Sequence, residues 1–142
     1  MREILFRGKA INRDKGKHRT DYKNKEWVYG LITKLYEERF PALPAEMCNE
    51  YGVTGIEIDY KTIGQYTDLT DKNGKKIFEG DIVNFKTTAY LFKNCLIKYN
   101  SQLARFCAVD NKGHSYPMDE KFEYEIIGNI YDNPELLRSD TE

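Results

Sequence analysis

Four carboxylates crowd into fourteen residues: Asp68, Asp71, Glu79 and Asp81. Paired carboxylates can relay a proton or hold Mg²⁺. Lys72, Lys75 and Lys76 lie among them, so surface ion pairs and turn capping account for the cluster without any chemistry. Asp71-Lys72-Asn73-Gly74 also resembles the start of a calcium loop, but the register fails. With Gly74 at the sixth position of an EF-hand, the first ligand would be Leu69 and the fifth Asn73. The same residues suit a turn, because Asp and Asn bond nearby backbone amides and Gly supplies positive φ. We expect a turn and no metal. The only histidines are His18 and His114, and Cys48, Cys95 and Cys107 form no C-x-x-C pair. Zinc is therefore not expected. A Cys–His nucleophile would need Cys95 or Cys107 exposed beside His114, yet both fall inside expected strands. There is no phosphate-binding glycine loop, nucleophile elbow or HExxH string. We expect no catalytic residue, no cofactor and no enzymatic activity.

The remaining chemistry is electrostatic. Residues 1–25 hold nine Lys/Arg against three acids, a balance of +6, while the rest hold 13 against 20, a balance of −7. Arg13, Lys15, Lys17, Arg19, Lys23 and Lys25 surround Tyr22, and Trp27, Tyr29 and Tyr36 follow. Basic residues interleaved with aromatics can track and stack on single-stranded nucleic acid. The plainer role of the aromatics is core packing. A basic arm on an acidic body fits a nucleic-acid backbone or an acidic surface on a second subunit.

The elements that must position these residues read as strands. Ile4–Ala10 and Glu26–Tyr36 form a long hairpin, with a polar basic loop over 12–25. Pro41 and Pro44 interrupt the connector Phe40–Gly52, and Ala45–Tyr51 is expected to make one or two helical turns. Ile56, Ile58 and Tyr60 alternate with Glu57, Asp59 and Lys61, the period of a half-buried strand. Short strands then follow at Thr62–Thr67, Asp81–Lys86, Leu91–Tyr99, Leu103–Asp110 and Glu125–Tyr131. Turns link them at Asp71–Lys75, Asn100–Gln102 and Asp110–His114, and a sharp corner sits at Glu79-Gly80-Asp81. Such spacing suggests a small barrel or sandwich. If the Asn100–Gln102 loop has three residues, Cys95 and Cys107 face each other on neighbouring strands.

A chain of 142 residues fits one domain, or two subdomains sharing a core, and needs no disulfide to fold. Charged residues are 32% and mean hydropathy is −0.71. The apolar runs fall far short of the ~18 residues a membrane span needs. MREILFRGK has neither the apolar length nor the cleavage site of a signal peptide. An odd cysteine count fits reduced thiols in the cytoplasm.

The run YTDLTDKNGKKIFEGDIVNF at Tyr66–Phe85 resembles the signature of YopX-like proteins of bacteriophages, prophages and their hosts. REILFRGK at Arg2–Lys9, EWVYG at Glu26–Gly30 and EIIGNIYDNPELL at Glu125–Leu137 extend the resemblance in the family's order. It implies a five-stranded SH3-like barrel for the second half, a phage or prophage origin and a cytoplasmic life in a bacterial host. It implies no reaction and no catalytic residue. The long basic loop departs from the family's short turn. Arg7, Gly8, Trp27, Gly30, Gly64, Tyr66, Gly74, Gly80, Asp81, Gly128 and Asn133 are read as corners, turns and core.

The resulting expectation is a mostly β protein, α+β at most. An N-terminal hairpin unit (1–61) packs on the SH3-like barrel (62–133), and 134–142 is a polar tail. Two roles stay open. One is a non-enzymatic interaction module, binding itself in a homo-oligomer or another protein. The other is a nucleic-acid-binding accessory protein using the basic loop. No membrane partner is expected.

Overall fold

The computed structural model describes residues 2–12, 22–35 and 45–138. Their regular structure is almost entirely antiparallel β, as the alternating patterns require. The strands are β1 (Phe6–Ala10), β2 (Trp27–Lys34), β3 (Ala45–Asn49), β4 (Ile56–Thr70), β5 (Lys76–Phe78), β6 (Asp81–Lys86), β7 (Leu91–Asn100), β8 (Arg105–Val109), β9 (Ser115–Pro117) and β10 (Glu123–Asn129). One 3₁₀ turn follows at Pro134–Leu137, inside the segment expected to be a polar tail. The chain divides into two compact units, Met1–Gln65 and Tyr66–Glu142, and the division falls within β4.

In the first unit β1 pairs with β2, β2 with β3, β3 with β4, and β4 again with β1. Closure of this kind removes the strand edges that an open sheet would expose. Inward residues alternate with outward ones, and Ala10, Val28, Ala45, Met47, Ile56 and Ile58 form the core. The expected helical turns at Ala45–Tyr51 are instead β3 and the turn after it. Ala, Glu and Met favour helix intrinsically, but β2 and β4 offer β3 hydrogen bonds on both sides, and that outweighs a weak local preference. The strands expected separately at Ile56 and Thr62 are one, β4, because no turn residues break the chain between them. Its register against β1 slips between Arg7 and Lys9. Thr62 bridges the slip: its hydroxyl accepts from the Lys9 amide at 2.8 Å and donates to the Asp59 carbonyl at 2.7 Å.

In the second unit the sheet order is β10-β6-β7-β8-β9, and the end of β4 pairs with β5. The three-residue strands β5 and β9 were too short to show a period in the sequence. Phe85 sits at the centre of the core. Its ring centroid lies 4.6 Å from Phe92, 5.6 Å from Tyr124 and 5.9 Å from both Tyr116 and Phe122. Asn94 takes a positive φ of 53° at a bulge in β7. Its backbone amide donates to Asn84 Oδ1 at 3.0 Å, and its side-chain amide donates to the Leu136 carbonyl at 2.9 Å, tying the 3₁₀ turn to β7.

The β7–β8 connection is four residues, 101–104, with Asn100 opposite Arg105 and Ala104 at φ 52°. This corrects the register expected from a three-residue loop. Cys107 faces Lys98, and Cys95 pairs with Val83. Cys95 lies on the face of Ile97 and Ala108, and Cys107 on the opposite face, so the two do not confront each other.

One turn design recurs three times. Asp71 Oδ1 accepts from the Asn73 and Lys75 amides, both at 2.9 Å, and the Gly74 amide donates to the Asp71 carbonyl at 3.0 Å. Asp110 Oδ1 holds the Lys112 and His114 amides, with Gly113 donating to the Asp110 carbonyl. Asn49 Oδ1 holds the Tyr51 and Val53 amides, with Gly52 donating to the Asn49 carbonyl. In each, an Asp or Asn oxygen gathers the amides two and four residues on, and a glycine three residues on turns the chain at positive φ. A type I turn closed by a left-handed residue has this form.

Gly74 has φ +82° and no other atom near where a Cβ would stand, so backbone strain alone sets the cost of a side chain. Gly74→Val is expected to destabilise the fold by about 1–2 kcal/mol, read from denaturant midpoints, with no change in melting temperature on adding calcium. Thr62→Val keeps shape but leaves the part-buried Lys9 amide without its acceptor. A loss of about 1–3 kcal/mol is expected in the same assay; no loss would mean that the hydroxyl does not hold the slip together.

Candidate functional site

The basic loop named in the sequence lies mostly outside the described residues: Arg13, Lys15, Lys17 and Arg19 fall there, as do Tyr36 and His18. Its C-terminal end is described. The Lys25 amide donates to the Ala10 carbonyl at 2.8 Å, and the Lys23 amide donates to Glu26 Oε1 at 3.0 Å, which turns the chain into β2. Lys23 and Lys25 are exposed. Tyr22 is placed differently. Its ring packs against the first unit's core, and its hydroxyl accepts from Asn49 Nδ2 at 3.0 Å. The structure therefore sets the two lysines at the surface and gives the tyrosine to packing.

A second basic and aromatic group was not foreseen as a site. β1 and β2 place Lys9 directly opposite Trp27. The Lys9 ammonium is 5.1 Å from the indole ring, and the Arg7 guanidinium is 4.3 Å from it. Both lie within cation–π range. Arg7 is buried against the Trp27 ring, whereas Lys9 is part-exposed. The signal in the sequence was the alternation Arg7-x-Lys9 against Trp27-x-Tyr29, legible only once the hairpin register is known.

Two of the four carboxylates of the Asp68–Asp81 stretch, Asp71 and Asp81, have structural tasks. Asp71 is buried, and beyond its own turn its Oδ2 accepts from the Ile126 amide of β10 at 3.2 Å. Asp81 is buried, and its Oδ2 accepts from the Phe78 amide at 2.8 Å. Lys72 pairs with Glu125 at 3.4 Å, both half-exposed, a contact worth roughly 0–1 kcal/mol. Among the described residues no three His, Cys, Asp or Glu side chains are grouped to hold a metal ion.

The motif glycines and their neighbours are placed as follows. Gly64 is buried opposite Arg7 in β4. Tyr66 is buried, with its ring 5.6 Å from Phe78. The Gly80 amide donates to the Ile97 carbonyl and its carbonyl accepts from Ile130, which joins the corner to β7 and to the end of β10. Gly128 leaves room for the Asn133 amide, whose oxygen lies 2.6 Å from where a Cβ would be.

His114 Nδ1 lies 3.2 Å from Asp110 Oδ2, and the Tyr116 hydroxyl donates to the same oxygen at 3.4 Å. Burial opposes the Asp110 charge, but the His114 and Lys112 amides and the His114 ring outweigh it and hold the carboxyl below its ordinary value. Burial, then the Asp110 charge, raises the Tyr116 hydroxyl. Cys95 is 0% exposed and Cys107 1%. Burial, with Asp110 as a lesser cause, pushes the Cys95 thiol from 9.0 up to about 11. A thiol held protonated and shut from solvent is a poor nucleophile, so these groups do not combine into a Cys–His pair.

Cys48 is half-buried, while the other two cysteines are enclosed. A thiol reagent is expected to label Cys48 on the folded protein, and Cys95 and Cys107 only on unfolding; three fast native thiols would contradict the burial. The Cys95 shift also sets a pH dependence. Its folded pKa is above its unfolded one, so the stability it contributes is complete below about pH 9 and lost as pH rises through about 11. Cys95→Ala is expected to flatten the alkaline fall in melting temperature over that window.

The chain is similar to known proteins in family and in fold. No curated protein matches the chain. A crystal structure of protein EF1440 from Enterococcus faecalis is similar to it, with a TM-score of 0.50 and 24% identity over 97% of this chain and 100% of that one. At that identity the likeness speaks to the fold. The family model described as YopX protein matches residues 11–138, nearly the whole chain. The protein belongs to the YopX family.

Proposed function

We propose that this YopX-family protein is a non-enzymatic interaction module that assembles with a second copy of itself. Its place is the cytoplasm of a bacterial host, and its origin a phage or prophage. The observation that carries the reading is the apolar tip of the β6–β7 hairpin. Tyr90 is 70% exposed and Leu91 57%. The tip is stiffened from beneath: the Tyr90 ring lies 6.3 Å from Phe92, which stacks on the central Phe85. A rigid, exposed aromatic loses little entropy on docking and is the usual kind of interface anchor. The opposed balances of +6 and −7 would steer two copies together. Salt screens exposed charges beyond about 8 Å at physiological ionic strength, so apolar contacts must supply the lasting part of the affinity. The order β10-β6-β7-β8 supports an SH3-like barrel as the scaffold, though a fold by itself selects no function.

A second reading is favoured by Lys23 and Lys25, exposed where the chain enters β2, and by Lys9 beside Trp27. Such a group suits single-stranded nucleic acid. Light scattering and oligonucleotide anisotropy on one sample separate the two. Self-assembly predicts a mass above the monomer that Tyr90→Ser with Leu91→Ser reduces to the monomer without lowering the melting temperature. Nucleic-acid binding predicts a monomer whose oligonucleotide affinity falls steeply with salt and is lost when Lys23 and Lys25 are reversed to Glu.

A further inference from the structure

Of the chain's asparagines, only Asn73 is followed by glycine. It lies at the exposed tip of the β4–β5 turn, and its side-chain amide makes no hydrogen bond among the described residues. A glycine on the C-terminal side removes the side chain that would otherwise shield the next backbone nitrogen. We propose that Asn73 is a spontaneous modification site, deamidating through a cyclic imide, and that the Asp71-centred turn controls its rate.

The step balances without a cofactor. The Gly74 backbone nitrogen gives its proton to solvent base and bonds to Asn73 Cγ. The Cγ–Nδ2 bond breaks, and Nδ2 leaves as ammonia. One water then opens the imide at either carbonyl, giving aspartate or isoaspartate at position 73. Nothing is oxidised or reduced.

The structure supplies both the brake and an internal control. The Gly74 amide that must attack is held by the Asp71 carbonyl at 3.0 Å, and the Asn73 amide is held by Asp71 Oδ1 at 2.9 Å. Attack needs the first of these to open, so the rate follows the population of locally opened turn. The Asp110 turn has the same hydrogen bonds but places Asn111 before Lys112, one residue away from its glycine. The Asn49 turn places its asparagine at the capping position, three residues before Gly52. Conversion at position 73 adds a carboxylate beside Lys72 and Lys75. The isoaspartate product also lengthens the backbone by a carbon, which breaks the spacing that delivers two amides to Asp71.

The test is peptide mapping by mass spectrometry of the folded full-length chain, incubated in mildly alkaline buffer. The expected result is the amide-to-acid mass change at Asn73, with part of the product accepted by an isoaspartate-specific methyltransferase, and no comparable change at Asn111 or Asn49. Equal conversion at Asn111, or none at Asn73, would overturn the proposal. The gating is read by repeating the incubation in denaturant, where about a tenfold faster conversion at Asn73 is expected because the turn's hydrogen bonds no longer hold the amide. Equal folded and unfolded rates would refute control by the turn. Lys112→Asn moves the same dipeptide into the Asp110 turn without touching Asp71; it is expected to create a second site of similar rate, and a silent second turn would show that the turn geometry is not what sets the rate.

Discussion

The buried carboxylate of Asp71 is the interaction on which the second unit turns. It accepts three backbone amides, those of Asn73, Lys75 and Ile126. The first two close the β4–β5 hairpin, and the third fastens that hairpin to β10, fifty-five residues away in sequence. Beside it, the Lys72 amide donates to the Tyr124 carbonyl at 2.8 Å. β10 is an edge of its sheet, so these bonds satisfy backbone groups that would otherwise be open to another strand. A buried charge is tolerated only when hydrogen bonds replace its water, and Asp71 meets that condition through the backbone alone. The same economy appears at Asp81, whose carboxylate holds the Phe78 amide and fixes the Gly80 corner.

Around those corners the aromatic residues do the packing. Phe85 gathers Phe92, Tyr116, Phe122 and Tyr124, which explains why so many rings serve a chain with few catalytic candidates. The first unit uses closure instead: four strands paired in a ring around Met47, Ile58 and Val28. Among the described residues, several groups that could have served chemistry have structural surroundings instead. Asp110 caps a turn, the enclosed Cys95 stays protonated, and His114 leans on Asp110 from the solvent side. Among the described residues the β6–β7 tip keeps the stiff apolar side chains of Tyr90 and Leu91 at the surface, and that tip is why we propose an assembling module.

Local features were legible in the residues themselves. An Asp or Asn followed three residues later by Gly dictates a turn through its own side chain, so 71–75 and 110–114 were legible. The alternation from Ile56 to Lys61 dictated a strand with one buried face, and four quoted blocks in order pointed to the family. Tertiary structure decided everything that depends on a partner strand. β3 became a strand because β2 and β4 flank it, although Ala45, Glu46 and Met47 favour helix alone. The turn at 49–53 carries the same Asn-x-x-Gly spacing, but the helical turns expected over Ala45–Tyr51 ran across it. A four-residue β7–β8 link, with Ala104 in a left-handed conformation that alanine does not advertise, moved Cys95 and Cys107 to opposite faces. Tyr22 went to the core and Lys9 to Trp27 for the same reason. Side-chain-to-backbone bonds are written into a few adjacent residues, whereas register is a contest between distant segments that no single segment encodes.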